Sequence, residues 1–482
     1  MPSQHSRLYR HLVREVAKAS IVPRSQRNKE ISANFRTLFE RNHQSKTFQH
    51  DVGNVLTFMH SQRQYKILLD RYNPLVDLTT EERIEATARR CDPSSISFDA
   101  DGVPLFKSPE TLAAIQSASR YLTEDLQAVV FPTETVYGLG ALALDASASA
   151  RIFATKGRPP DNPLIVHVSS QQMLLSLLPA GYTLPSAYRV LIDHFCPGPL
   201  TLLFPRDPIK IPNIITAGQP TVAIRIPSHP VARALIAVSN SPLAAPSANS
   251  SGKPSPTRAQ HVLGDLGGKV GVVLDGGPCD VGLESTVVDG LHEDGNIRVL
   301  RPGGVPIEDI ERVLIQNFDQ GKVPKVLVHR RDFLDEDIER APTTPGMKYR
   351  HYSPSVPVKL LRTISKPPHG EEAITPLDLL NSLKRSLTSC TPLKIGLMTP
   401  SDSSIAQGLV NDTEVQWYQY VLGSLAEPAV TAQRLFDGFL TLEKAGVDII
   451  LVEEVSEDRE GLAIMNRVKK AAGEACWIMT PV

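Results

Sequence analysis

Over residues 1–92 apolar positions recur at helical spacing in three stretches, about 8–20, 26–42 and 47–72. Leu8, Leu12, Val13 and Val16 share one face of the first. Ile31, Phe35, Leu38 and Phe39 share a face of the second, and Val52, Val55, Leu56, Met59 and Leu68 one of the third. No strand pattern interrupts them, which predicts a small antiparallel three-helix bundle. The pattern then changes. Residues 93–108 are polar and carry Pro93, Gly102 and Pro104, so they read as a linker, followed by a helix over about 110–125. From there to about residue 317 short apolar runs alternate with helical segments, as in one α/β domain. Farther on, residues 394–398 and 447–452 read as parallel strands, with helices over 429–445 and 461–472.

Composition narrows the class. The chain has 482 residues, room for two or three cores, and a net charge of −1. Any affinity for nucleic acid or membrane must then come from local patches. One such bias exists: residues 1–92 hold 16 Lys and Arg against 10 Asp and Glu, and the first thirty are Arg-rich and nearly acid-free, which suits mitochondrial import. Five scattered cysteines (Cys91, Cys196, Cys279, Cys390, Cys476) form no CxxC pair. That argues against zinc or a disulfide framework and for a reducing compartment. No apolar run reaches spanning length and no secretory segment opens the chain, so the expectation is a soluble intracellular protein without a membrane span.

The chemistry centres on the stretch from Phe131 to Gly140. The apolar run 128–131 reads as a buried strand that breaks at Pro132, and Gly138 and Gly140 suit a tight turn close to a ligand. Residues 145–155 read as a helix with Asp145 as N-cap, and Lys156 and Arg158 follow at its far end, before Pro159-Pro160. Two cations so placed suit a phosphate-bearing ligand, although a Lys-Gly-Arg alone also describes a solvated helix terminus. His167 and Arg225 interrupt apolar strands, and an unpaired buried charge is costly. Either each has a structural partner, or they converge on one anionic ligand. Several cations with Ser, Thr and Asn at strand ends favour the second.

Two resemblances follow from the motifs. Leu8-Tyr9-Arg10 heads the first helix and Asn34-Phe35-Arg36 carries an aromatic-basic pair, so this region resembles the LYR-motif family and within it the Fmc1-type assembly factors of mitochondrial ATP synthase. The resemblance implies a partner-binding bundle, with Leu8, Tyr9, Arg10 and Phe35 as contacts to an acyl carrier or an F1 assembly partner. Downstream, Pro132-Thr-Glu-Thr-Val-Tyr-Gly-Leu-Gly140, Lys156-Gly-Arg158, Asn162-Pro-Leu-Ile-Val-His167, Ala223-Ile-Arg-Ile-Pro227, Ser247-Ala-Asn249, Ser285-Thr286 and Leu300-Arg-Pro-Gly303 resemble the YrdC/Sua5 family over about residues 110–482.

That resemblance implies an α/β fold, a twisted mixed sheet around a large concave cationic cavity, with a C-terminal Rossmann-like domain. The expected division is a bundle over 1–92, a linker over 93–108, the catalytic domain over 109–320, a linker or lid over 321–357 with Lys348, Tyr349 and His351, and a C-terminal domain over 358–482. No glycine-rich dinucleotide fingerprint appears, so neither NAD nor zinc is expected, only Mg²⁺ accompanying ATP. The implied reaction is threonylcarbamoyl-AMP synthesis from L-threonine, bicarbonate or CO₂, and ATP, with pyrophosphate released. A separate tRNA threonylcarbamoyltransferase then modifies the adenosine at position 37.

Carried onto this sequence, Lys156, Arg158 and Arg301 neutralise phosphates, the first two as the catalytic pair. Asn162, Thr221, Ser247, Asn249, Ser255 and His351 complete the ATP site. Arg225 clamps the threonine carboxylate, with Thr135, His167 and Ser285 around the amine and hydroxyl, and Thr133 stays open as the alternative to Thr135. Glu134 is a metal or amine contact, or a carboxylate balancing Lys156. Two other readings stand beside this one: a YrdC-fold protein that binds double-stranded RNA without catalysis, and a mitochondrial assembly factor defined by its N-terminal bundle. Removal of the residues before about Ser108 is expected to leave a synthase active.

Overall fold

The computed structural model describes residues 37, 48, 50–58, 61, 88–334, 351–386, 392–410 and 412–479. The chain forms two compact units, Met1–Thr79 and Thr80–Val482. In the first, the described residues are helical, and Phe48 and Val52 are buried, as expected of the third predicted helix. Leu8, Tyr9, Arg10 and Phe35 lie outside the described residues, and so do Lys348 and Tyr349.

The second unit is built on an eleven-stranded mixed sheet in the order β1-β10-β4-β5-β9-β6-β8-β7-β11-β12-β13. Its strands are β1 (Ala88–Arg90), β4 (Val129–Phe131), β5 (Gly138–Leu142), β6 (Ile165–His167), β7 (Leu200–Pro205), β8 (Thr221–Arg225), β9 (Leu243–Ala244), β10 (Val273–Asp275), β11 (Thr286–Asp289), β12 (Ile297–Arg301) and β13 (Val326–Val328). The side-chain period of two sorts their residues onto two faces. Val130, Leu139, Val166, Val222, Ile224 and Val299 enter the main core. Val129, Phe131, Leu243 and Leu274 turn to the opposite face, where helices α1 (Pro109–Thr123) and, later in the chain, Pro230–Val238 cover them. The helix between β5 and β6, α2 (Ala146–Lys156), is capped by Asp145, whose carboxylate accepts from the Ala148 N–H at 2.8 Å, and ends at Gly157 in the left-handed region (φ 61°). The sequence signals for this helix hold at both ends.

Three expectations change. Residues 93–108 are not a free linker. β1 pairs with β10 in parallel, Cys91 and Ile96 are buried, and β2 (Ile96–Phe98) and β3 (Pro104–Phe106) form a hairpin whose Phe98 lies 4.0 Å beneath the Arg233 guanidinium. Strands of three residues are too short for alternation to show in the sequence. At the other boundary β13 extends the catalytic sheet past residue 320. Finally, Gly138 and Gly140 lie inside β5 rather than in a turn. A Cβ on Gly140 would come within 2.5 Å of the Phe131 ring, so this glycine is required by packing between paired strands.

The C-terminal domain is a five-stranded parallel sheet, β16-β15-β17-β14-β18, made of β14 (Val358–Arg362), β15 (Leu393–Thr399), β16 (Val415–Val421), β17 (Ile449–Glu453) and β18 (Glu474–Trp477). Leu379, Leu383 and Ile405 cover one face. Helices Pro428–Lys444 and Glu460–Ala471 cover the other through Leu435, Phe436, Phe439, Ile464 and Val468, giving the expected Rossmann-like layering. Val136 and Leu283 of the catalytic domain belong to this second core. At Gly282 (φ 74°) the backbones meet so closely that a Cβ would lie 2.4 Å from Cα of Gln433. The two domains share apolar interior, not just a polar boundary.

These contacts predict that a fragment starting near Thr80 folds like the intact second unit. One starting at Ser108 loses β1 and the hairpin and should melt at least about 5 °C lower, at roughly 2–4 °C per kcal/mol. Equal melting midpoints by calorimetry would show that residues 88–107 contribute nothing to the sheet.

Candidate active site

Where the Pro230–Val238 and α1 helices stop, the same face of the large sheet is left open, and a cavity lined by Thr135, Lys156, Arg158, Arg225, Asn249 and Arg301 occupies the space. Register brings its residues together. His167 lies opposite Arg225 across β6 and β8, and Thr201 opposite Arg225 across β7 and β8. Arg301 ends β12 beside Val287 of β11, and Ser285 precedes β11.

The loop after β4 forms one wall. The Thr133 hydroxyl donates to the Val136 carbonyl (2.6 Å) and accepts from the N–H groups of Thr135 and Val136 (3.2 Å each), so it is consumed by its own turn. The Thr135 hydroxyl donates to the Thr133 hydroxyl at 2.8 Å and accepts from Arg225 Nη1 at 2.9 Å. Arg225 also donates to Glu134 Oε1 (2.6 Å) and to the Gly198 carbonyl (3.2 Å). Glu134 thus balances Arg225 rather than Lys156, and its second oxygen accepts from the Ser228 and His229 main-chain N–H groups. Three of the five guanidinium N–H groups of Arg225 are engaged this way, which leaves donors for a further carboxylate. The His167 Nδ1 lies 3.1 Å from the Ile165 main-chain carbonyl. Burial first, then Arg225, pushes its pKa down to about 3, so it is a neutral wall at any physiological pH.

The opposite wall is cationic. Lys156, at the end of α2, is buried and donates to the Ser247 and Asn249 carbonyls. Burial and the neighbouring Arg158 push its pKa well below the usual lysine range, against the pull of Asp265 and Glu284. Arg158 donates to the carbonyls of Asn162 (3.1 Å) and Pro163 (2.8 Å), and burial and Arg301 bring its pKa down to about 9. Arg301 caps the Ser285 carbonyl (2.9 Å) and hydroxyl (3.2 Å). The Asn249 amide donates to the Ser250 and Lys253 carbonyls, while its Oδ1 is buried with no partner, an acceptor left for a ligand donor.

Two expected ATP contacts are placed elsewhere. Asn162 is buried behind Arg158, which it holds through its main-chain carbonyl, and does not line the cavity. Thr221 starts β8, four residues and so about 13 Å from Arg225 at the strand's other end. His351 and Tyr352 do line the cavity, with Tyr352 stacked at 5.3 Å on Phe436 of the C-terminal domain. Glu284 and Arg467 were not foreseen. Glu284 lines the cavity and receives the Ser255 hydroxyl (2.5 Å) and two N–H bonds from Arg467, which is fully buried. Arg467 had a signal in the sequence: it sits on an apolar helix face with Ala463, Ile464 and Ala471.

Three family models match the chain. The Sua5/YciO/YrdC model, described as telomere recombination, matches residues 123–303. The model of the threonylcarbamoyl-AMP synthase C-terminal domain matches 305–473, and a Complex1 LYR-like model matches 6–91. A threonylcarbamoyl-AMP synthase of Schizosaccharomyces pombe is 39% identical over 415 residues, 82% of this chain and 96% of its own length. That of Bacillus subtilis is 38% identical over 359 residues, 74% of this chain and 93% of its own length. The crystal structure of Pyrococcus abyssi Sua5 complexed with L-threonine superposes with a TM-score of 0.61 at 38% identity, covering 76% of this chain and 96% of the archaeal one. With both domains matched in the same order and relatives near 40% identity matched over almost their whole length, the chain belongs to the Sua5/YrdC family of threonylcarbamoyl-AMP synthases.

Proposed function

We propose that the cavity makes threonylcarbamoyl-AMP: L-threonine, bicarbonate and ATP go in, and threonylcarbamoyl-AMP, pyrophosphate and water come out. The observation that carries the residue roles is that one cavity is lined by Lys156, Arg158 and Arg301 and also by Arg225 with Thr135 and Ser285. Lys156, Arg158 and Arg301 meet the triphosphate, and Ser247, Asn249, Ser255 and His351 surround the rest of the nucleotide. Arg225 takes the threonine carboxylate on its remaining N–H groups, and Thr135 and Ser285 flank the amine and hydroxyl.

The chemistry needs no enzyme nucleophile. Bicarbonate takes up a proton and loses water to give CO₂, the neutral threonine amine adds to CO₂ and releases a proton in turn, and a carbamate oxygen attacks the α-phosphorus as pyrophosphate leaves. Holding the short-lived carbamate against ATP supplies the proximity, and the buried cations stabilise charge on the leaving group. Mg²⁺ finds no carboxylate cage here. Glu134 and Glu284 are each committed to an arginine, and no cluster of three metal-ligating side chains occurs among the described residues. Any Mg²⁺ would be held mainly by the phosphates themselves.

Two other readings differ in support. Double-stranded RNA is disfavoured, because the cations are buried in a cavity no duplex can enter. The LYR-like match supports a mitochondrial protein partner for the N-terminal unit, and the tRNA threonylcarbamoyltransferase remains the consumer of the product. Deleting residues 1–79 from a fluorescently tagged chain should abolish mitochondrial localisation, and unchanged localisation would refute that role.

Lys156→Ala should lower kcat/KM for ATP by about 10²–10³ with the fold intact, read as pyrophosphate and threonylcarbamoyl-AMP by mass spectrometry. In the free enzyme Lys156 is held below its usual pKa, and phosphate raises it again, so ATP binding takes up a proton. ATP affinity should therefore fall as pH rises between the free and bound pKa values, and that slope should vanish in Lys156→Ala by titration calorimetry. Arg225→Ala alone would leave Glu134 buried without its partner. The double variant Arg225→Gln/Glu134→Gln avoids this and should raise KM for threonine about 10–100-fold with little effect on KM for ATP. Unchanged threonine affinity would remove Arg225 from the site.

A further inference from the structure

Among the described residues, Glu284 is the one carboxylate that lines the cavity, and it stands in the cationic wall. Its field reaches both Lys156 and Arg301. Left to itself, a buried carboxylate there would pair with those cations and repel a triphosphate. Its geometry is different. Oε1 accepts from the Ser255 hydroxyl, whereas Oε2 is turned to Arg467, whose Nε and Nη2 reach it at 3.1 and 3.0 Å. Arg467 does not line the cavity. It comes from the Glu460–Ala471 helix of the other domain, is 0% exposed, and is fixed by the Pro302 and Ala463 carbonyls and by the Tyr352 ring, whose centroid is 5.7 Å from its guanidinium carbon.

We propose that Arg467 is a positioning residue for nucleotide binding: from behind the cavity wall it holds and neutralises Glu284, so that Lys156 and Arg301 are left to the phosphates of ATP. The C-terminal domain thereby acts in the catalytic site without touching substrate. Ser255, held by the other oxygen of the same carboxylate, is oriented by the same contact. This inference rests on the synthase reading, since it assigns the cationic wall to ATP.

The test compares steady-state kinetics of the full chain with Arg467→Met, Glu284→Gln and the double variant, each checked for fold by circular dichroism. Arg467→Met should raise KM for ATP by about tenfold or more, through one uncompensated charge in the wall, and change KM for threonine less than about threefold. Adding Glu284→Gln should return KM for ATP to within about threefold of the original, because the offending charge is gone. A purely structural role predicts the opposite, both constants worsening together and no rescue by the second change. If Arg467→Met does not fold, Glu284→Gln alone decides: ATP binding as tight as before or tighter supports the proposal, and weaker binding overturns it. Wild-type protein that forms no product would instead refute the synthase reading itself.

Discussion

Four basic side chains, Lys156, Arg158, Arg225 and Arg301, are each nine-tenths or more buried around one cavity, and the cost of holding them there shapes what surrounds it. A buried cation without compensation is among the most expensive things a fold can contain. The chain meets this cost in a specific way. Arg225 has a carboxylate of its own, Glu134, while Lys156, Arg158 and Arg301 lean on main-chain carbonyls at strand ends and loops. Carbonyl dipoles hold a cation in place but do not cancel its charge. A surplus of positive charge held mainly by dipoles favours an anion in the cavity.

That constraint also accounts for the second domain. A cavity opening along a sheet face needs a back wall, and the catalytic domain's own helices cover only part of the face. The C-terminal domain closes the rest by merging cores through Val136 and Leu283 and by inserting Arg467 behind Glu284. The residues at the end of the inter-domain segment, His351 and Tyr352, are seated between the two, with the Ser353 N–H bonded to the Gly252 carbonyl at 2.9 Å.

Much of the site could be read from the sequence because its residues break local rules. His167 and Arg225 stand out as polar interruptions of apolar strands, and Lys156 stands at the end of a well-capped helix. Asn162 and Thr221 stand off the cavity lining for a different reason: the same motif can supply a ligand contact or brace one, and only geometry separates Arg158 from the residue that holds it. Three-residue strands such as β1 to β3 carry no period to read, and so the β2–β3 hairpin looked like a tether and β1 fell within the range assigned to the bundle. The sequence could not show that the Thr133 and Thr135 hydroxyls are bonded to each other, or that Thr135 also meets Arg225. The Glu284–Arg467 pair joins positions 183 residues apart, beyond any local pattern.

That separation has a consequence in time. At about 5–20 residues per second, a ribosome needs roughly 10–40 s to travel from Glu284 to Arg467. Throughout that interval the nascent catalytic sheet carries an ionisable group whose partner has not been synthesised. The wall behind Glu284 is therefore complete only once the Glu460–Ala471 helix has been made and Arg467 has docked.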